Sequence, residues 1–267
     1  MELVELLGFV GALIIGLVLG LIGGGGSILT VPVLVYMLSI NPVMATAYSL
    51  FVVGVSALVG ALKNMRNGLV DFKTALVFAA PAFIAVYLTR KFLVPAIPDE
   101  MFIVGDFMVT KNIGIMMLFA IIMLLASVSM IRKGKPKTED EGPVKFNYPM
   151  ILIEGFVVGI LTGLVGAGGG FLIIPALVLL AKLPMKKAVA TSLLIIAIKS
   201  LIGFIGDVEN LEIDWTFLLS FTSFSVVGIF IGTWLNKFID GKKLKTGFGW
   251  FVLVMGVYII LKEVGGI

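Results

Sequence analysis

GLIGGGGSILTVP, residues 20–32, decides the fold, and it recurs as GLVGAGGGFLIIP, residues 163–175. Both stretches lie in apolar sequence and both stack small residues. The first holds Gly23, Gly24, Gly25 and Gly26, closed by Ser27; the second holds Gly166, Ala167, Gly168, Gly169 and Gly170. A glycine costs about 1 kcal/mol against alanine in a helix interior, so consecutive glycines in a buried helix mark a break. Broken backbone at membrane depth is tolerated only where protein or a wet cavity covers its polar groups. Each run is therefore a candidate site. Pro32 and Pro175 follow, at positions suited to the first turn of a new half-helix.

Working outward, the 267 residues are 60% hydrophobic and 13% charged, against about 25% charged in soluble domains. Mean hydropathy is +1.16, and several apolar runs approach the ~20 residues that span a bilayer. The chain reads as an all-α polytopic membrane protein. It has no Cys and no His, which removes thiol chemistry, disulfides, most zinc and haem sites and Ser-His triads. The net charge of +4 sits in loops and reads as topology rather than nucleic-acid affinity. The opening MELVELLGFVGALIIGLVLG has no positive n-region and is expected to stay as a membrane segment.

Apolar patterning predicts helices at 4–22, 28–40, 43–62, 73–93, 111–131, 149–165, 171–182, 186–206, 215–236 and 247–263. Segments 28–40 and 171–182 are too short to span, so 4–40 and 149–182 read as helix–break–half-helix units. Shifting the chain by 143 lays 16–72 over 159–215 without a gap, with about a third of positions identical. Gly16, Gly20, Pro32, Ser49, Gly60, Asn67 and Asp71 meet Gly159, Gly163, Pro175, Ser192, Gly203, Asn210 and Asp214. Residues 1–131 and 149–267 are thus two membrane repeats around a basic loop at 132–148. Each repeat carries a broken hairpin plus three spanning helices.

Loop charge sets the orientation. Lys63, Arg66 and Lys73 in one repeat face Asp207, Glu209, Glu212 and Asp214 in the other. Equivalent loops of opposite bias imply opposite sides of the membrane and inverted repeats. The basic loops at 132–137, 182–187 and 237–245 then lie inside, and both termini lie outside, in a plasma membrane. Arg90 and Lys91 fall on the outer side and count against this scheme. The loop 94–110 has no counterpart and is expected to cap the outer mouth. Asp71 and Asp214 read as helix N-caps.

Half-helix N-termini carry free N–H groups and partial positive charge, and glycine lets an anion approach closely. In inverted-repeat transporters such ends meet near the midplane. Gly16, Gly20, Gly159 and Gly163 instead fit close helix packing. A P-loop is excluded, because no Lys follows either run. ATAYSL (45–50) and AVATSLL (188–194) recur after the runs, and Ser49, Thr191 and Ser192 are expected to line the site. Other hydroxyls would bond back to the preceding turn. Lys199, inside a spanning helix, is a functional candidate by its cost; the competing reading is a lysine that snorkels to a surface. Lys199, Thr191 and Ser192 are expected to face one cavity. No catalytic set is evident, so neither enzyme nor cofactor is expected.

These paired glycine-run, half-helix and small-polar motifs resemble the TauE/SafE family, the sulfite exporters, over roughly residues 8–262. The resemblance implies an anion permease for sulfite or organosulfur anions, and carries site roles onto Gly23–Gly26, Gly166–Gly170, Ser49, Thr191 and Ser192. Ser27 in place of glycine and Asn41-Pro42 in place of Pro184-Met185 make the two halves unequal. The expected partners are a small anion and the bilayer, with no nucleic acid. The expected function is secondary transport by alternating access. A passive anion channel and a non-transporting membrane scaffold are the rivals.

Overall fold

The computed structural model describes residues 3–104, 107–131, 148–179, 181, 183–236, 238 and 241–265. The central basic loop, Lys182 and Lys237 lie outside the described residues. The first half comprises α1 (Leu3–Ile22), α2 (residues 25–37), α3 (Pro42–Arg66), α4 (Phe72–Ala96) and α5 (Lys111–Ile131). The second comprises α6 (Tyr148–Val165), α7 (Gly170–Leu179), α8 (Met185–Val208), α9 (Trp215–Leu235) and α10 (Gly241–Gly265). Among the described residues five stretches are long and apolar enough to cross a membrane. They are α3, α4, Lys111–Val128, Lys186–Val208 and α9. The protein is an all-α polytopic membrane fold.

The caps explain the helix starts. Asn41 accepts from the N–H of Val43 at 2.9 Å with Pro42 at the first helical position. Asp71 accepts from Thr74 N–H at 2.8 Å and Asp214 from Phe217 N–H at 3.0 Å, so both aspartates are N-caps as expected. Lys63 and Arg66 in the last turn of α3 complement its negative end.

Packing ties the two halves together through equivalent contacts. α1 lies against α9, and the equivalent α6 lies against α4; α3 packs on α8, and α5 on α10. On α1, Gly16 meets the backbone of Ser225 and Gly20 that of Ile229 and Thr233. On α6, Gly159 meets Ala82, the equivalent of Ser225, and Gly163 meets Val86 and Thr89. Gly16, Gly20 and Gly159 let helix backbones touch and Gly163 admits the Thr89 and Val86 side chains, the packing role expected for them. Between α3 and α8, Gly60 faces Leu193 while Gly203 faces Leu50, which are the repeat equivalents exchanged. The two equivalent helices therefore run antiparallel.

Several local features differ from expectation; α10, for one, begins at Gly241, six residues before the expected 247. α2 begins at 25, three residues early, because its first turn is wound tightly through Gly25–Leu29. Glycine permits that turn: Gly26 presses on the backbone of Leu19 and Ile15. α2 then returns along α1, with Val33 against Gly11 and Leu38 against Gly8. Loop 94–110 contains a hairpin, β1 (Glu100–Val104) and β2 (Phe107–Thr110), antiparallel with Ile103 opposite Met108. The Gly105-Asp106 dipeptide between two apolar runs is a hairpin signal, hidden by the apolar composition around it. Met101 packs on Gly114 at the start of α5.

Candidate functional site

The breaks sit where glycine is required. Gly23 has φ +84°, and Gly166, Gly168 and Gly169 have φ +68°, +60° and +68°, a region that L side chains avoid. The last helical bonds before each break are equivalent: Gly23 N–H to Leu19 C=O at 2.8 Å, and Gly166 N–H to Thr162 C=O at 2.9 Å. Beyond the breaks the two half-helices start side by side. Gly24 and Gly170 touch backbone to backbone, so that a Cβ on either would collide with the other's Cα. Gly168 lies against Ser27 and Val53, and Gly170 against Ile196. Val53 and Ile196 are near the middles of α3 and α8, so the N-terminal ends of α2 and α7 meet halfway along these two helices. Ala167 is fully buried with them. Gly25 stands in the tight first turn of α2. First-turn N–H groups lack intrahelical partners and carry the positive end of the helix dipole.

The small-polar clusters serve the opposite repeat. Gly166 packs on Thr46, and the equivalent Gly23 packs on Val189. Ser49 donates to the Gly166 carbonyl at 2.6 Å. Tyr48 accepts from the Asp214 N–H at 2.8 Å, and Thr191, its equivalent, accepts from the Asp71 N–H at 3.0 Å. Two hydroxyls stay local: Ser192 donates to Val189 C=O at 2.8 Å, and Ser27 to Gly24 C=O at 2.8 Å. The structure thus brings Gly23–Gly26, Ser27, Ser49 and Gly166–Gly170 to one centre. It places Thr191 at the α3–α4 connection and turns Ser192 back on its own helix.

Lys199 is fully buried. Its Nζ donates to Thr162 Oγ1 at 2.7 Å, and Thr162 in turn donates to Val158 C=O at 2.7 Å. A Cβ on Gly169 would lie 2.9 Å from the ammonium, so Lys199 closes the second break. Among the described residues no carboxylate lies within ion-pair distance of it. The equivalent position in the first half is Ser56, which bonds Ser225 Oγ at 2.8 Å. The hydroxyls of Thr30, in α2, and Ser200 are buried with no hydrogen-bond partner among the described residues. Two helix N-termini, one ammonium and nearby hydroxyls suit a small anion.

Sequence reasoning passed over Thr162, Thr30 and the pair Arg90–Asp207. Arg90 and Asp207 are both buried, with Nε 3.4 Å from Oδ2. Lys91 pairs with Glu209 at 3.0 Å at a more exposed level. The signal for Arg90 was present: with Lys91 it was one of two basic residues that did not fit the loop-charge scheme. Thr162, four residues before Gly166, carried no signal beyond its closeness to the run.

The model of the family described as "Sulfite exporter TauE/SafE" matches residues 8–259. A "Probable membrane transporter protein" of Xylella fastidiosa (strain Temecula1) is 28% identical, over 94% of this chain and 92% of that protein. The "Probable membrane transporter protein YunE" of Bacillus subtilis (strain 168) is 29% identical, over 95% of both chains. No solved structure gives a significant match.

Proposed function

Since the chain belongs to the sulfite exporter TauE/SafE family of membrane transporters, we propose that it is a secondary transporter of a small anion, sulfite or an organosulfonate. The anion binds where the N-termini of α2 and α7 meet, with Lys199 as its fixed counter-charge. The single observation that carries this is Lys199 itself: a fully buried lysine that, among the described residues, is bonded only to Thr162, abuts Gly169 and has no carboxylate in reach. A buried charge without a counter-ion is costly, and an anionic cargo removes that cost each time it binds.

Alternating access follows from the proposed inversion of residues 1–131 and 149–267 about that centre. The exchanged contacts of Gly60–Leu193 with Gly203–Leu50 support it, because equivalent surfaces can trade places as one half rocks. In this scheme the 63–73 and 182–187 segments face the cytoplasm and both termini face outward. Arg90 and Lys91, on the outer side in this scheme, each face a carboxylate at the end of α8. The energy comes from an ion or substrate gradient. Isothermal titration of the purified protein with sulfite, methanesulfonate, taurine and chloride tests this. Saturable binding of sulfite or a sulfonate in preference to chloride is expected; binding of none of them overturns it.

A further inference from the structure

Arg90 and Asp207 carry more than a topological signal. Both are buried where α4 meets α8, and their one close approach is Nε to Oδ2 at 3.4 Å. Nε, Nη1 and Nη2 of Arg90 and Oδ2 of Asp207 have no hydrogen-bond partner among the described residues. A guanidinium and a carboxylate are matched forks that normally close with two parallel hydrogen bonds. A pair kept only for stability would close that way, because unmade hydrogen bonds on buried charged groups are heavily penalised.

The surroundings fit a ligand station rather than a strut. Arg90 stands in a wide helical turn, Thr89–Leu93, a form that recurs at functional sites. Gly206 lets that turn approach α8, 3.1 Å from an added Cβ to Arg90 Cβ. The turn also joins the central site: Thr89 packs on Gly163, whose neighbour Thr162 holds Lys199. Lys199 and Asp207 are eight residues apart on α8, roughly 12 Å along the axis. Two buried cations therefore lie on one seam of α4, α6 and α8, one at the break and one toward the helix ends. At the repeat-equivalent place Thr233 replaces Arg90 and Asn64 replaces Asp207, and the contact there is Lys63 Nζ to Thr233 Oγ1 at 2.8 Å. Among the described residues the buried charge pair belongs to one end alone.

We propose that Arg90 is a second oxyanion-binding station between the glycine breaks and the end of α8, occupied by Asp207 as a stand-in when no substrate is there. Arg90 takes this role only if the anion-transport reading above holds. The ligand class is an anion with at least two terminal oxygens, such as sulfite or a sulfonate, which spans Nη1 and Nη2 as a halide cannot. Passage of the anion displaces the carboxylate, and its exit lets the pair re-form.

The test measures sulfite and methanesulfonate affinity by calorimetry, with thermal unfolding alongside, for the parent, Asp207→Asn and Arg90→Lys. Removing the competing carboxylate raises the fraction of competent sites, so Asp207→Asn is expected to bind about fivefold tighter. Arg90→Lys keeps the charge, loses the fork and is expected to bind about tenfold weaker. If Arg90→Lys does not fold, Asp207→Asn decides alone: tighter binding supports the station, and unchanged or weaker binding overturns it. Variants that lose thermal stability while binding both anions like the parent reduce the pair to a strut. If the parent binds neither anion, the transport reading fails and this one with it; if the parent binds and both variants match it, only this one fails.

Discussion

Ser49 donates its hydroxyl to the carbonyl of Gly166, 2.6 Å away and 117 residues along the chain, so a side chain of one repeat closes the break of the other. Its repeat equivalent Ser192 makes no such bond and turns to Val189 on its own helix. Removing Ser49 strands a buried carbonyl, at a cost of about 1–3 kcal/mol. Ser49→Ala is expected to lower the thermal midpoint in detergent clearly, and Ser192→Ala to change stability by less than about 1 kcal/mol. Equal effects at the two positions would contradict the cross-repeat closure.

The contact of Gly24 with Gly170 is backbone on backbone, so neither partner can swing aside. Gly24→Ala or Gly170→Ala is expected to cost about 1–3 kcal/mol by overpacking and to abolish anion transport. Gly247 in α10 has nothing within 4 Å of an added Cβ. Gly247→Ala is expected to gain about 0.5–1 kcal/mol from helix propensity with transport intact. Unfolding curves and uptake assays on the three variants check this, and normal uptake by the Gly24 and Gly170 variants would return those glycines to a packing role.

Lys199→Ala is expected to weaken sulfite binding at least tenfold, about 1.4 kcal/mol. Lys199→Arg is expected to recover part of it, because a planar guanidinium replaces a compact ammonium. Calorimetry decides: parent-like affinity in Lys199→Ala removes the counter-charge role.

Orientation is testable on a chain that has no cysteine of its own. An impermeant maleimide is expected to label Glu2→Cys in intact cells, and to label Lys137→Cys only after permeabilisation. Labelling of position 137 from outside would sink the proposed inversion.

Much of this was legible in the residues. The glycine runs announced both breaks, Asp71 and Asp214 announced their caps, and the 143-residue shift announced which elements are equivalent. What stayed hidden needed tertiary neighbours. Thr191 and Lys199 share one helix, but eight residues on a 3.6-residue helix leave them about 80° apart, and Thr191 meets the Asp71 N–H instead. The partner of Arg90 is 117 residues away on another helix, so in the sequence Arg90 stood only as a misplaced charge. Lys199 could be singled out by its cost in lipid, whereas Thr162, which holds it, could not, because a threonine in a membrane helix ordinarily bonds its own preceding turn. It does so here, toward Val158, while also accepting from the lysine.

The most direct measurement is counterflow of labelled sulfite into proteoliposomes preloaded with unlabelled sulfite, comparing the parent with Lys199→Ala. The account predicts saturable uptake that overshoots equilibrium in the parent and is lost in the variant. Uptake that never saturates, single-channel currents, or equal counterflow by the two proteins would contradict it.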